Sequence, residues 1–174
     1  MLFRLAVIVL TLLATPALAQ DRAMLDEAFD AAIATFERAL PRLDATPGVD
    51  VAAYRDALTA RRFQSELWDG SVTLDLVMRE TPDGSCARFA AFVLIPPEHG
   101  SVRLVLCPQF FTPGADALRE LTVLHEMVHV VAGADECRAM AFAAGIEQAA
   151  KGAFTPVDAY WRASGCEGSG FRLP

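Results

Sequence analysis

The feature that most constrains the fold is a nine-residue run, Leu121–His129, in which apolar residues recur at helical spacing around ionisable side chains. The apolar positions fall on one side of a helix, which must therefore pack against a core: Leu121, Leu124 and Val128. His125 and His129 are four residues apart, so they project from the same face, one turn from each other. The run predicts a largely buried helix that carries two imidazoles side by side.

The same run has the pattern His-Glu-x-x-His, which suits a zinc ion. His125 and His129 can bind one Zn²⁺, and Glu126 between them points towards a water molecule on that metal. The chain has three histidines in all, and two of them belong to this motif. The alternative is an ordinary amphipathic helix whose histidines are hydrogen-bonded and free of metal.

A catalytic zinc site needs a third protein ligand beside the two histidines. Asp135 and Glu136 follow the motif closely, and Gly133 allows a sharp turn that returns either carboxylate to the metal. Each acid also has a structural interpretation, because Asp135 suits a helix N-cap and Glu136 suits the first turn of a helix. Cys137 is a possible ligand, although a disulfide is the more common state of a cysteine in an oxidising compartment. Spacing alone leaves the choice between Asp135 and Glu136 open.

Residues 1–19 have the pattern of a secretory signal peptide. Arg4 is the basic n-region, Leu5–Leu13 the apolar h-region, and Ala17-Leu18-Ala19 the cleavage site. No other stretch approaches the ~20 apolar residues of a membrane span. We therefore predict a periplasmic or secreted protein in which residues 20–174 form a single domain without a membrane span. The net charge of −7 argues against nucleic acid or an anionic membrane as a partner.

Four cysteines in an exported chain predict two disulfides. Cys86 begins one β-like run and Cys107 ends another, so an antiparallel hairpin would place these two opposite each other. That register also pairs apolar residues on one sheet face: Ala87 with Leu106, Phe89 with Leu104, and Ala91 with Val102. Pro96-Pro97 between the runs predicts a wide loop rather than a tight turn. Cys137 and Cys166 then form the second disulfide by elimination.

The periodicity of the remaining chain predicts helices at both ends and strands between them. The predicted elements are a helix over Asp21–Leu40, a helix from the N-cap Asp50 to about Leu67, a strand over Val72–Met78, the two cysteine-bearing strands, the motif helix capped by Asp116, and a helix over Asp135–Lys151. The tail from Pro156 is predicted to be irregular and held by Cys166. This order indicates an α+β fold with N-terminal helices, a small antiparallel sheet, and the HExxH helix followed by a C-terminal helix.

Three segments around the motif share a further pattern: Leu106-Cys107-Pro108-Gln109-Phe110-Phe111, Thr122–His129 and Val131–Glu136. Together they resemble the deuterolysin/peptidyl-lysine metallopeptidase (aspzincin) family. That family combines an LCPxFF-like strand end, an HExxH helix and a GTxD segment whose aspartate is the third zinc ligand. The resemblance aligns Gly133 with the glycine, Ala134 with the threonine and Glu136 with the ligand aspartate. It therefore implies a zincin-like fold in which His125, His129 and Glu136 bind zinc.

The resemblance covers about Val105–Ala143 and includes departures from the family pattern. Glutamate replaces aspartate at position 136, and the connection after His129 is shorter than in the family. The family carries a tyrosine three residues after its ligand aspartate, and this chain has Ala139 there. Asp158-Ala159-Tyr160 is similar to the family's C-terminal DxY segment. Either Tyr160 supplies the missing hydroxyl from the tail, or the chain has no such donor.

These observations predict an exported zinc metallopeptidase that hydrolyses a peptide or protein substrate. In this hypothesis Glu126 is the general base that takes a proton from a metal-activated water, and Asp135 orients a histidine ring or caps a helix. One alternative is a non-catalytic zincin-like periplasmic module for binding or assembly, and another is a disulfide-stabilised protein without metal. The intact Glu126 favours the enzyme, because a closed structural site does not need that carboxylate.

Overall fold

A computed structural model describes residues 16–174 of the chain. The n-region and h-region of the predicted signal peptide lie outside the described residues, and its cleavage segment lies at the start of the first helix. The elements are, in order, α1 (Pro16–Ala39), α2 (Val51–Ala60), β1 (Arg62–Ser65), β2 (Gly70–Met78), β3 (Ala91–Glu98), β4 (Ser101–Leu106), α3 (Asp116–Ala132), α4 (Glu136–Lys151) and α5 (Asp158–Ala163). Short 3-10 turns occur at Leu40–Arg42, Gly84–Ala87 and Pro108–Phe111. The fold is α+β, as predicted.

The second helix is shorter than the sequence pattern suggested. Asp50 caps α2 as predicted and accepts hydrogen bonds from the backbone amides of Ala52 and Ala53. However, the helix ends at Ala60 instead of near Leu67, because Arg61 adopts a left-handed conformation with φ of 53°. The following residues, 62–65, alternate between exposed and buried and form β1. A two-residue period over so short a segment is easily missed beside a helical pattern.

Two further local predictions were wrong. Asp116 is the first residue of α3 and pairs with the guanidinium of Arg119, and the N-cap position is occupied by Ala115 without a side-chain cap. The tail from Pro156 contains the short helix α5, which places Trp161 in a small buried cluster with Met140 and Cys166. Packing against α4 therefore orders a segment whose own sequence gave little indication of a helix.

The sheet is mixed rather than antiparallel, with the strand order β1-β2-β4-β3. Its outer pairs, β1 with β2 and β3 with β4, are antiparallel, whereas β2 and β4 run parallel. The connection through residues 79–90 carries the chain past β4, and the hairpin then returns β4 into the sheet. β4 suits this inner position because four of its residues are buried: Val102, Leu104, Val105 and Leu106. The pattern within each strand does not reveal strand order, so the antiparallel prediction was wrong.

The β3–β4 hairpin also has a register that differs from the predicted one. Ala91 faces Leu106 instead of Val102, a displacement of four residues. An even displacement keeps each side chain on its predicted face of the sheet, so the apolar pattern does not distinguish the two registers. The turn lies at His99–Gly100, where both residues have positive φ, and not at Pro96-Pro97. Those prolines lie in β3, an edge strand, where a missing backbone donor is tolerated.

Both predicted disulfides are present, Cys86–Cys107 and Cys137–Cys166. Cys86 lies in a 3-10 turn rather than in a strand, so the pairing was right although the register behind it was wrong. The first disulfide holds the β2–β3 connection against the end of β4, and the second ties α4 to the segment that follows α5. Two disulfides fit a secreted or periplasmic protein. Among residues 16–174, no helix is long and apolar enough to cross a membrane.

The helix that carries the motif, α3, is the central element of the fold. It packs against α1, α2, α4 and β3. Two side chains from other parts of the chain, one on α2 and one in the turn between β1 and β2, also hold its backbone by hydrogen bonds. The Tyr54 hydroxyl donates to the Leu124 carbonyl at 2.9 Å, and the Trp68 indole N–H donates to the Val130 carbonyl at 2.8 Å. These contacts hold α3 on both sides of the motif, which makes the positions of its polar side chains well defined.

Candidate metal centre

Two elements bring the predicted ligands together: α3 supplies His125 and His129, and the first residue of α4 is Glu136. The Nε2 atoms of the two histidines are 3.1 Å apart. One Glu136 oxygen lies 3.2 Å from His125 Nε2, and the other lies 3.6 Å from His129 Nε2. These three side chains form a group that could hold a metal ion.

The turn between α3 and α4 explains why Glu136, and not Asp135, reaches the histidines. Gly133 ends α3 with a φ of 85°, a conformation that glycine adopts without strain. The Asp135 side chain then caps α4 by accepting a hydrogen bond from the Arg138 amide at 3.0 Å. The Arg138 guanidinium also donates to the Ala132 carbonyl at 2.6 Å, which ties α4 back to the last residue of α3. The capping interpretation of Asp135 is therefore the one that the structure displays.

The donor atoms fit the dimensions of a tetrahedral metal site. Nitrogen and oxygen donors 2.0–2.1 Å from a tetrahedral ion lie about 3.3–3.4 Å from one another. The separation of 3.1 Å between the two Nε2 atoms and that of 3.2 Å from His125 Nε2 to Glu136 Oε2 lie near this value, and the other oxygen, Oε1, lies 3.6 Å from His129 Nε2. His129 Nδ1 is 2.9 Å from the Gly133 carbonyl, which only accepts, so Nδ1 carries the proton of the neutral ring. Its Nε2 lone pair therefore faces the space between His125 and Glu136, as a metal ligand requires.

Glu126 lies beside this group and is buried, with 7% of its surface exposed. Burial raises the pKa of its carboxyl group, and the nearby histidines only partly oppose this effect. The charge of Glu136 raises the Glu126 pKa further. A carboxylate with a raised pKa is a better proton acceptor than one exposed to water. The side chain also lines both cavities next to the histidines, so it is accessible from the cleft.

Tyr160 on α5 lies next to both Glu136 and His125. Its hydroxyl donates to Glu136 Oε2 at 3.2 Å, and its ring centroid is 6.3 Å from that of His125. Burial, and then the negative charge of Glu136, raise the pKa of Tyr160 to about 12, so its hydroxyl stays protonated at neutral pH. Ala139, which aligns with the family tyrosine, is fully buried and brings no polar group to the site. Tyr160 is thus the tyrosine that the fold places beside Glu136 and His125.

The histidines and Glu136 affect one another's protonation. Burial lowers the pKa of His129, but its hydrogen bond to Glu136 and the charge of Glu126 outweigh this, and the net shift is upward. Burial raises the pKa of Glu136, but its contacts with His125 and His129 dominate and hold that pKa well below its usual range. Glu136 is therefore ionised throughout the physiological pH range, and a proton on His129 is what a metal ion has to displace.

This competition predicts a pH-dependent metal affinity. Below the raised pKa of His129 the ring is protonated, so each further pH unit is expected to weaken zinc binding at least about tenfold. Above that pKa the affinity is expected to level off, because Glu136 is already ionised. Titration with zinc between pH 5.5 and 8, in the presence of a chromophoric chelator of known affinity, measures this dependence. Constant affinity over that range would contradict the assignment of His129 as a ligand.

The group of His125, His129 and Glu136 lies on a cleft formed by two adjoining cavities. The larger, about 370 Å³, extends from His125 along α3 towards α5. The smaller, about 170 Å³, lies by His129 and Glu136 against β3. Four residues line both cavities: Phe89, Ala91, Glu126 and Tyr160. A chain segment lying in this cleft would pass directly over Glu126.

Two features of the site were not predicted from the sequence. The first is the role of Arg138, which fixes the turn that delivers Glu136. The second is the larger cavity, in which Leu118 is exposed on the first turn of α3. Leu118 is a large apolar residue on the polar face of an amphipathic helix, and such a position could have indicated a ligand surface.

Comparisons of the chain with protein-family models, with curated proteins and with solved structures find no match.

Proposed function

We propose that this protein is an exported zinc-dependent peptidase, in which His125, His129 and Glu136 bind the metal and Glu126 is the general base. The observation that carries the proposal is the convergence of two imidazoles and one carboxylate, with contacts of 3.1 to 3.6 Å, beside a second, buried carboxylate. Two nitrogens and one oxygen are a donor set typical of catalytic zinc, with a further position left for water. The proposal includes a zincin-like fold and a distant relationship to the aspzincin family, both based on the resemblance of the sequence motifs.

The chemistry divides between the metal and the side chains around it. Zinc bound by the three ligands would acidify a water molecule and polarise the carbonyl of the scissile peptide bond. Glu126 would accept a proton from the attacking water as the new C–O bond forms. It would then pass the proton to the peptide nitrogen as the C–N bond breaks, so that the amine leaves uncharged. The His129 Nδ1–H bond to Gly133 keeps the Nε2 atom available to the metal throughout.

Glu126 favours a catalytic over a purely structural role for the site. A closed structural zinc site has four protein ligands and no solvent access, whereas this group has three and lies on an open cleft. Burying a carboxylate also costs stability, which a structural site would have no reason to incur. The position and burial of Glu126 are therefore the main support for hydrolysis over the alternative of a binding or assembly module.

Metal analysis combined with a peptidase assay tests the proposal. Protein produced with both disulfides, and without a metal-affinity tag, is expected to contain about one zinc ion per chain and to cleave a mixture of peptides. A chelator should abolish cleavage, and zinc should restore it. Zinc binding without cleavage of any peptide would support the non-catalytic module instead. Absence of bound metal after incubation with zinc would overturn both interpretations.

Tyr160 is proposed to donate a hydrogen bond to the oxyanion that develops on the substrate. Tyr160→Phe is expected to lower kcat by about 10²-fold, since the loss of one such donor has an effect of that order. Zinc content should stay unchanged, because the phenyl ring keeps the aromatic wall of the site. If Tyr160→Phe lowers zinc affinity and leaves the kcat of the loaded enzyme intact, the hydroxyl serves only to orient Glu136.

A further inference from the structure

The larger cavity beside His125 and Glu126 is lined mainly by apolar side chains. The apolar lining residues include Phe89, Leu118, Leu121, Met140, Ala143 and Val157. They come from the segment before β3, from α3, from α4 and from the connection to α5, so four parts of the fold converge on one space. A volume of about 370 Å³ is within the range of pockets that bind small ligands or single side chains.

This cavity gathers an unusual share of the exposed apolar surface. Among the described residues, six large apolar side chains are exposed, and three of them line it: Phe89, Leu118 and Tyr160. Leu118 is 57% exposed, the highest value of the six. Exposed apolar groups that cluster around a cavity next to reactive side chains indicate a ligand surface, because leaving them in water costs free energy.

The charges around the cavity exclude a basic occupant. Glu126 is the single acid among the described residues that line it, and the proposed mechanism already uses that carboxylate. The other charged lining residue is Arg88, whose guanidinium lies 5.3 Å from the centre of the Phe89 ring. A lysine or arginine side chain entering here would lose water, meet a cation and find no free carboxylate.

We propose that this cavity binds a large apolar side chain of the substrate, so that the enzyme cleaves next to residues such as leucine or phenylalanine. The inference depends on the proposed function, since it assigns a substrate class to that site. The position of the cavity supports the inference, because it is lined by the proposed ligand His125 and by the proposed general base Glu126. A side chain bound in the cavity therefore belongs to a residue that flanks the scissile bond.

The first test is the cleavage pattern of a peptide mixture of known sequences, digested by the zinc-loaded protein and analysed by mass spectrometry. Leucine and phenylalanine are expected to be enriched at one of the two positions that flank the cut. Matched peptides that differ only at that position should then show kcat/KM at least about tenfold higher for leucine than for alanine or lysine. Equal rates for the three peptides would overturn the inference while leaving the peptidase activity intact.

A charge substitution in the cavity sharpens the test. Leu118→Glu places a carboxylate on the first turn of α3, where a helix tolerates acids well. It should lower the leucine-to-lysine ratio of kcat/KM at least about tenfold, because a basic side chain then finds a partner. Leu94→Glu is the matched control, since Leu94 is also exposed and points away from α3, with Phe92, on the other face of β3. If both variants are folded and Leu118→Glu leaves the leucine-to-lysine ratio of kcat/KM unchanged, the side-chain specificity is not determined by this cavity.

Measurements of peptide binding to an inactive variant test the apolar subsite independently of the proposed hydrolysis. The zinc-loaded E126Q variant keeps the cavity, and calorimetric titration with the matched leucine, alanine and lysine peptides measures the cavity without any turnover. Tighter binding of the leucine peptide supports the apolar subsite even if the wild-type protein cleaves no peptide, in which case the proposed hydrolysis alone fails. Equal binding of all three peptides contradicts the subsite.

Discussion

Replacing Glu126 by glutamine is expected to lower kcat for peptide hydrolysis by about 10³-fold, while the protein keeps its zinc. The amide has nearly the same shape as the carboxyl group but cannot accept a proton from water. Thermal stability should be unchanged or higher. Burial raises the pKa of Glu126, so its ionised form destabilises the folded state at neutral pH, and a neutral side chain removes that cost. The measurements are steady-state hydrolysis, zinc content and thermal unfolding.

Glu120→Gln provides the matched control for this experiment. Glu120 is another largely buried acid on α3, but its carboxylate pairs with Lys151 at 2.8 Å and lies away from both cavities of the cleft. Its replacement should leave kcat unchanged. A large loss of activity in both variants would point to a general disturbance of α3. Full activity in Glu126→Gln would show that another group accepts the proton.

Replacing Glu136 by glutamine is expected to weaken zinc binding at least about 100-fold, because even the partners that merely orient metal ligands contribute 10- to 100-fold. The neutral amide is a poor ligand, and its loss removes the charge that both histidines contact at 3.2 and 3.6 Å. The pKa of His129 should fall at the same time, since the contact with Glu136 is what raises it. Competition with a chromophoric chelator measures the affinity, and histidine NMR signals measure the pKa.

The neighbouring acid supplies the control for this second prediction. Asp135→Asn removes the same charge one residue earlier, and asparagine still caps a helix, so α4 should remain intact. Zinc affinity of this variant is expected to stay within a few-fold of the wild-type value. If Asp135→Asn loses zinc and Glu136→Gln retains it, the assignment of the third ligand is reversed.

The sequence predicted the α+β class from local patterns and the presence of two disulfides from redox chemistry, whereas the correct pairing came from a hairpin register that differs from the observed one. A run with apolar spacing of three and four residues has to form a helix that packs, and this constraint fixed α1, α3 and α4 to within five residues at either end. The two histidines of α3 had to lie together for the same reason, since helical geometry alone brings positions four apart to one face. The two histidines of the candidate site were therefore available from the sequence, whereas spacing alone left Asp135 and Glu136 as alternatives for the acid.

The order and register of the strands were not available, because the energy that decides them comes from distant contacts. Alternation of apolar residues assigns a face to each side chain but is unchanged by a displacement of four residues, which is the error made in the β3–β4 hairpin. The parallel pairing of β2 with β4 likewise depends on how the connection at residues 79–90 crosses the sheet. The sequence of a strand does not indicate which path the connection to the next strand takes across the sheet.

The sequence by itself determined which helix carries the site and which two imidazoles share its face. Only the tertiary structure decided that Glu136 reaches them while Asp135 caps α4, because the turn at Gly133 and the hydrogen bond from Arg138 set that direction. It also decided the placement of Tyr160, which α5 and the Cys137–Cys166 disulfide bring to Glu136 from a distant part of the chain. Local geometry follows from neighbouring residues, whereas the approach of Glu136 to the histidines and the walls of the cleft depend on how whole elements pack.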